Sequence, residues 1–436
     1  MKRILPLLCA LLASSAARSQ QPLTLRQCID RAVERNVQVR QAQVAHQQQE
    51  VALSTARNAW LPEVAASLGQ NLSFGRGLTA NNTYESRNTT STSVALGASV
   101  PLYSGGRLIH QREQARLNLA AAVADIDRLR ESLALQVTQA YLQVLYYQDV
   151  VTQAQAQLRM AQTQEERVRQ AISAGKMAEV EQTESTSRVA QDQLALVQAQ
   201  NNEHLALLDL SQLLEFATPD SLRLVRPDPA DLPPIVGSPE EIYQASLTRR
   251  PALRAADLRI QAAEKAIDIA RSGYLPSVSL SANVGTNYYN TSGFANTSFA
   301  RQMKDNFAQA VGLSVSIPIF NRYTTRNGVR SARLEAQNLR LTQEDTKKTL
   351  YKEIQNAFYN ARAAEQKYQA STTAQEASAV ALSTMAKKYE NGKANATEFD
   401  DARHKHYLAA LDRLSARYEY LFRTKILDFY RGVELR

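Results

Sequence analysis

The 436-residue chain carries 51 Lys and Arg against 42 Asp and Glu, a formal net charge of +9, with 44% hydrophobic and 21% charged residues. That balance supplies packed cores and excludes a disordered tail. Only 15 Gly and 13 Pro argue against a loop-rich or all-β protein of this size and for long helices.

Residues 1–19 read as a secretory signal peptide. Lys2 and Arg3 precede a short apolar stretch over 4–13, and Ala17-Arg18-Ser19 is the expected cleavage site. Cleavage removes three bases and no acid, leaving a net charge of +6. A lipid-bearing Cys9 is disfavoured, because Leu8 stands where a small residue is expected. Cys28 is then the one mature cysteine, and no internal disulfide forms. Beyond the signal no run of 18 apolar residues occurs, which excludes membrane-spanning helices. An exported chain of this kind is soluble, peripheral, or crosses an outer membrane as a β-barrel.

Thr24-Leu25-Arg26-Gln27 is a capping box that opens a helix over 24–59, ending before Leu61-Pro62. Val64, Ala66, Leu68, Leu72 and Phe74 then alternate with Ala65, Ser67, Gly69, Asn71 and Ser73, with Gln70 interrupting the apolar set. A polar loop at 75–91 leads into a second strand. There Val94, Leu96, Ala98, Val100 and Leu102 alternate with Ser93, Ala95, Gly97 and Ser99. From 107 to 172 there is neither Pro nor Gly. Val137, Ala140, Val144, Tyr147, Val151, Ala154, Leu158, Ala161, Glu165, Val168 and Ile172 keep the 3-4 spacing of a coiled-coil seam. At ~1.5 Å per residue this stretch is a rod of roughly 100 Å. Ser173-Ala174-Gly175-Lys176 then turns the chain into a returning helix. The segment 219–237, holding Pro227, Pro229, Pro233 and Pro234, is an extended linker.

The second half repeats the first. Ser238-Pro239-Glu240-Glu241 is a capping box with Pro at the first helical position, opening a helix over 239–273. Trp60-Leu61-Pro62 recurs as Tyr274-Leu275-Pro276, and Asn36, Val39 and Arg40 recur as Arg250, Leu253 and Arg254, all 214 residues on. Val100-Pro101-Leu102-Tyr103 recurs as Ile317-Pro318-Ile319-Phe320, Val137 as Ile354, and Gly175-Lys176 as Gly392-Lys393, all 217 residues on. One register, changed once by three residues, marks an internal duplication with its insertion in a loop tip. Two further strands follow. Val278, Leu280, Ala282 and Val284 oppose Ser277, Ser279, Ser281 and Asn283. Phe307, Val311, Leu313, Val315 and Ile317 oppose Ala308, Ala310, Gly312, Ser314 and Ser316. The loop between them, 287–298, suits an exposed outer turn. The second seam, from Ile354 to Tyr389, is poorer in large apolar residues, so further helices must pack beside it. The expected organisation is signal peptide 1–19, first repeat 20–218, linker 219–237 and second repeat 238–436.

Each strand has one apolar face and one small, polar face, the dyad pattern of a membrane β-barrel with a watery lumen. A soluble sandwich is the competing reading of the pattern alone. Four strands fall short of the about eight that close a barrel, and lipid does not tolerate open sheet edges. Several copies must therefore share one barrel. Eight strands from two copies would fill their interior with side chains. Twelve from three leave an opening, so a hollow threefold assembly is expected.

The chain resembles the TolC-like outer-membrane efflux protein family over essentially its whole mature length. The resemblance rests on the duplicated order, Leu-Pro before the first strand of each half, Val-Pro-Leu-Tyr-Ser-Gly-Gly-Arg at 100–107, and the turns at Gly175 and Gly392. It implies a mainly α fold with membrane β: long coiled-coil hairpins plus four transmembrane strands per chain. In a homotrimer these form a 12-stranded β-barrel continued by an α-helical barrel. It also implies an outer-membrane location reaching into the periplasm, in contact with outer-membrane lipid. The expected partners are a periplasmic adaptor (membrane fusion protein) and an inner-membrane transporter of RND or ABC type. The function implied is a passive exit duct of a tripartite efflux or type I secretion system, carrying small molecules or polypeptides. After Phe320 this chain departs from the family pattern with Asn321-Arg322-Tyr323-Thr324-Thr325, a different turn into the same helix.

The hairpin turns opposite the strands are the candidate site. Glu181 and Glu184 lie six and nine residues after Gly175, and Glu398 and Asp401 lie six and nine after Gly392. A three-residue spacing places each pair on one helix face. Around a threefold axis such residues become rings of negative charge that attract cations and repel anions. A solvated helix face is the plainer alternative. The resemblance implies a closed aperture built from a Tyr before the second turn's Gly and acids after it, positions that Tyr389, Glu398 and Asp401 occupy. Where a basic residue two after that Gly often ties the closed state, Ala394 stands, with Lys393 beside it. The resemblance further implies that the turns holding Gly175, Lys176, Gly392 and Lys393 dock the adaptor.

Other chemistry is not supported. His404-Lys405-His406 places its imidazoles on different helix faces, unsuited to one metal. Gly75-Arg76-Gly77 lacks the rest of a dinucleotide fingerprint, and Ser173-x-x-Lys176 lacks companion motifs. The chain reads as no enzyme, with no cofactor and no catalytic or metal residue. Bases interleaved with acids along helices give no nucleic-acid patch. A periplasmic adaptor or a structural coiled-coil envelope protein is the alternative function. An adaptor carries one hairpin flanked by β modules, and a coiled-coil protein leaves the strands unexplained.

Overall fold

The computed structural model describes residues 22–78, 82–219, 222–226, 232 and 234–435. The expected signal peptide, Cys9, and the linker prolines Pro227, Pro229 and Pro233 lie outside the described residues. The first repeat runs α1 (Leu25–Arg35), α2 (Val37–Asn58), β1 (Glu63–Ser73), a small hairpin of β2 (Arg76–Leu78) and β3 (Tyr84–Ser86), β4 (Thr89–Ser104), α3 (Arg107–Ser173) and α4 (Glu179–Leu213). The second runs α5 (Pro239–Leu247), α6 (Pro251–Arg271), β5 (Ser277–Thr291), α7 (Phe299–Asp305), β6 (Ala308–Ser316), α8 (Thr324–Glu390) and α9 (Ala396–Arg431). The duplication is visible in the elements. The long helices α3 and α8 each hold 67 residues, and their first residues, Arg107 and Thr324, stand 217 apart.

The opening helices differ from expectation. The stretches 24–59 and 239–273 each break once instead of running through. Asn36 ends α1 with extended backbone, donates its amide to Leu213 O at 3.3 Å and accepts from Gln38 N at 2.9 Å. Its side chain thus satisfies backbone groups that the break would leave free. At the matching place Arg250 precedes Pro251, whose ring disfavours a helical residue before it. The Arg250 guanidinium lies over Phe429 at 4.0 Å and donates to Glu131 Oε2 at 2.9 Å.

By spatial contact the described residues form two compact units, and both units draw on both repeats. One takes its residues from Met1–Val44, Ala124–Arg254 and Glu344–Arg436. It holds the main core, where Cys28, Val39, Val137, Val144, Leu145 and Leu210 are fully buried. Burial pushes the Cys28 thiol up to about 12, so it stays a neutral, inert packing group. The α3 seam packs as its spacing predicts, with Val137, Val144, Val151, Ala154, Leu158, Ala161 and Val168 all buried. The α8 seam is buried only from Ile354 to Ala364. Further along, polar contacts replace apolar ones. Arg413 donates to Gln375 at 3.0 Å, and Ser378 bonds His406 Nδ1 at 3.0 Å.

The other unit takes its residues from Ala45–Val123 and Ala255–Gln343. It holds an antiparallel sheet in the order β1-β4-β5-β6. The register pairs Leu68 with Val94, Leu96 with Val284, and Leu280 with Leu313, so the four apolar faces form one surface. That surface is exposed in the single chain: Leu68 is 76% and Val311 77% accessible. Gln70, the polar interruption, lies opposite Thr92 and accepts its hydroxyl proton at 2.6 Å. One strand expectation is corrected. A β-bulge between Pro101 and Tyr103 skips Leu102 and sets Tyr103 opposite Val278, so Tyr103 joins the apolar face in its place. The segment 287–291 belongs to β5, and the outer connection contains α7.

The turn into α8 is also corrected. Gly105 and Gly106 enter α3 with φ of +63° and +81°, and Arg322 and Tyr323 enter α8 with φ of +54° and +61°. The backbone turn is therefore the same, made without glycine. A Cβ on Gly105 would stand 2.7 Å from Ser272 O, so glycine is obligatory in the first repeat. In the second, two side-chain-bearing residues hold a conformation that costs roughly 1–2 kcal/mol each.

Candidate functional site

The two hairpin turns share one construction. Gly175 and Gly392 have φ of +69° and +68°. Gly175 N donates to Ile172 O at 2.9 Å and Lys176 N to Ala171 O at 2.8 Å. Gly392 N donates to Tyr389 O at 3.0 Å and Lys393 N to Lys388 O at 2.8 Å. This bond pair satisfies carbonyls at the helix end and needs one left-handed residue. A Cβ on either glycine would meet nothing within 4 Å, so the demand is conformational and not one of space. Lys176 and Lys393 are exposed and form no ion pair among the described residues.

Tyr389, half-buried in the last turn of α8, is held from two sides. Its hydroxyl accepts from Gln164 Nε2 at 2.8 Å, and its ring stacks on Phe399 with centroids 5.2 Å apart. Burial raises its pKa, countered by the Gln164 bond and reinforced by the nearby charges of Glu181 and Asp400. Beside it, Arg167 lies 3.6 Å from Glu390.

The four predicted carboxylates do not form one cluster. Glu398 completes the capping box of α9. It accepts from Asn395 N at 3.0 Å while its own N donates to Asn395 Oδ1 at 2.8 Å. Asp401 pairs with Lys405 at 2.6 Å on an exposed face. Glu181, half-buried in the first turn of α4, is placed where negative charge suits a helix N-terminus, and its charge reaches Tyr389. Glu184 is exposed.

A buried ionic cluster beside the turn escaped the sequence reading. Arg403, 2% exposed, lies 3.4 Å from both Asp192 and Asp400, and Arg188 lies 3.6 Å from Asp400. Burial pushes the Asp192 carboxyl above the usual carboxylate range, against the attraction of Arg403 and a bond from Gln157. Repeat matching is blind to this cluster. At the 217-residue offset Asp400 and Arg403 correspond to Thr183 and Thr186, and Asp192 corresponds to Ala409. Only the helical spacing of Asp400 and Arg403 was a usable signal.

Long hairpins with glycine turns, joined to a sheet whose apolar side lies bare, define the outer-membrane duct class. The comparisons agree. The model of the outer membrane efflux protein family matches twice, at residues 28–214 and 242–430. The chain is 26% identical to outer membrane protein TolC of Escherichia coli (strain K12) over 427 residues, 97% of this chain and 84% of that one. It is 30% identical over 259 residues to the pyoverdine export outer membrane protein OpmQ of Pseudomonas putida, 58% of this chain and 52% of that one. The Campylobacter jejuni CmeC outer membrane channel shares the fold with a TM-score of 0.78 at 17% identity, covering 94% of this chain and 85% of that one. The chain belongs to the outer membrane efflux protein family. It is an outer-membrane exit duct of an efflux system, set in the bacterial outer membrane and reaching into the periplasm.

Proposed function

We propose that three copies of the chain close a 12-stranded barrel continued by an α-helical tunnel. The hairpin tips then form its periplasmic gate. The observation that carries this reading is the four-stranded sheet, which ends on β1 and β6 with a bare apolar face. In lipid those two edges need partners, and a second copy supplies β1 to β6. The two repeats, 20–218 and 238–436, give each copy two hairpins for that tunnel.

At the gate, Tyr389 with Gln164 and Phe399 holds the tip of α8 against its neighbours, and opening separates them. Glu181, Glu184, Glu398 and Asp401 supply negative charge along the passage and favour cations. The turns at Gly175, Lys176, Gly392 and Lys393 dock a periplasmic adaptor, which links the duct to an inner-membrane transporter of RND or ABC type. Transport is passive in this chain, and the pump delivers small molecules or polypeptides. The test is single-channel conductance in planar bilayers. The Tyr389→Ala, Glu398→Ala variant is expected to conduct more than the parent. Unchanged conductance would remove these residues from the gate. Crosslinking from Lys176 and Lys393 is expected to capture the adaptor, and capture only from distant lysines would overturn the docking assignment.

A further inference from the structure

We infer that the membrane-proximal end of α8 carries a binding site for anionic phospholipid headgroups of the periplasmic leaflet. This goes beyond the gate and rests only on the sheet lying in the outer membrane. Arg271, Tyr274, Tyr323, Arg326, Arg330 and Arg333 line a cleft of about 950 Å³. Tyr274 stands just before β5 and Tyr323 just after β6, whose ends pair as Ser277 with Ser316. The cleft is therefore fixed at the end of the strand pair, at the level where membrane phosphates lie.

Its charge is not cancelled within the chain. Arg271 is 3.3 Å from Asp268, but Arg326, Arg330 and Arg333 have no acidic partner among the described residues and are exposed. The first repeat shows the contrast. Ile109, Glu113 and Arg116 stand at the matching positions, and there Glu113 pairs with Arg112 at 3.5 Å and Arg116 at 3.3 Å. Arg330 in place of that glutamate removes the one acid of the helix start and leaves three arginines with no carboxylate among them. The left-handed Arg322-Tyr323 turn places the Tyr323 ring 5.5 Å from the Arg326 guanidinium and 5.6 Å from Phe320. Guanidinium groups bind phosphate oxygens through paired donors, and exposed aromatic rings sit at the headgroup level. Both parts of a phospholipid headgroup region are thus matched at one depth.

The test uses the full-length protein in detergent, with native mass spectrometry against short-chain phosphatidylglycerol, short-chain phosphatidylcholine and inorganic phosphate. Phosphatidylglycerol is expected to bind more tightly than phosphatidylcholine, and equal inorganic phosphate is expected not to displace it. Each of Arg326→Gln and Arg330→Gln is expected to weaken phosphatidylglycerol roughly fivefold, the effect of one basic residue beside an anionic surface. The triple variant Lys347→Gln, Lys348→Gln, Lys352→Gln, further along α8, is expected to bind as the parent does. Equal affinity for the two lipids, or the same loss in the lysine variant, overturns the site. Displacement by phosphate overturns the lipid assignment. Loss of trimers without change in lipid affinity makes these arginines a contact between copies and also overturns it.

Discussion

Tyr389 shows how one side chain serves two bonds of different kind. Its ring stacks on Phe399 and its hydroxyl accepts from Gln164. Tyr389→Phe keeps the stack and loses the acceptor, so conductance is expected to rise less than in Tyr389→Ala, measured in the same bilayers. Equal conductance in the two variants would assign the hold to the hydroxyl alone. Gly392→Ala tests the turn. With φ at +68° and open space for a methyl group, the cost is backbone strain, roughly 1–2 kcal/mol by denaturant midpoint. The role of Tyr389 came from family resemblance, and its position before Gly392 is plain in the sequence. Its partner Gln164 was not legible, because one Gln among many in a Gln-rich helix carries no pattern. The carboxylates show that equal spacing does not give equal surroundings: Glu398 also caps α9 and Asp401 also pairs with Lys405.

At the level of the helices, the tip contains a charged contact that the open state would hydrate. Burial raises the Asp192 carboxyl where it packs against Arg403, and the proposed gate takes this packed arrangement as its closed form. The closed form therefore holds its proton more tightly than an opened, wet form near the ordinary value of about 3.9. As pH falls through the window between those two values, protonation favours the closed tip, and as pH rises through it that contribution is lost. Conductance is expected to drop on acidification through this window, and Asp192→Asn is expected to abolish the dependence. Removing Arg403 leaves Asp192 and Asp400 without their shared buried partner, a loss of about 3 kcal/mol, read as a lower melting temperature. In the main core, Leu145→Ala empties a fully buried position and is expected to destabilise by about 3 kcal/mol in the same melts. The seam of α3 was readable because buried positions recur at 3-4 spacing. The breaks at Asn36 and Arg250 were not, since each depends on what the side chain finds across space.

For the whole molecule, light scattering of detergent-solubilised material is expected to give the mass of three copies. A single copy would leave the β1 and β6 edges unpaired in lipid. The sequence by itself determined the duplication, the long hairpins, the order of strands and the two-faced character of the sheet. These follow from periodicity and chain connectivity, which are properties of neighbours along the chain. The tertiary structure alone decided the bulge that puts Tyr103 on the apolar face, the glycine-free turn at Arg322-Tyr323, the Arg403 cluster and the arginine-lined cleft. The turn is a choice of backbone conformation that its residue types do not announce, and the others depend on distances between residues far apart in sequence, where burial, charge pairing and available space set the outcome.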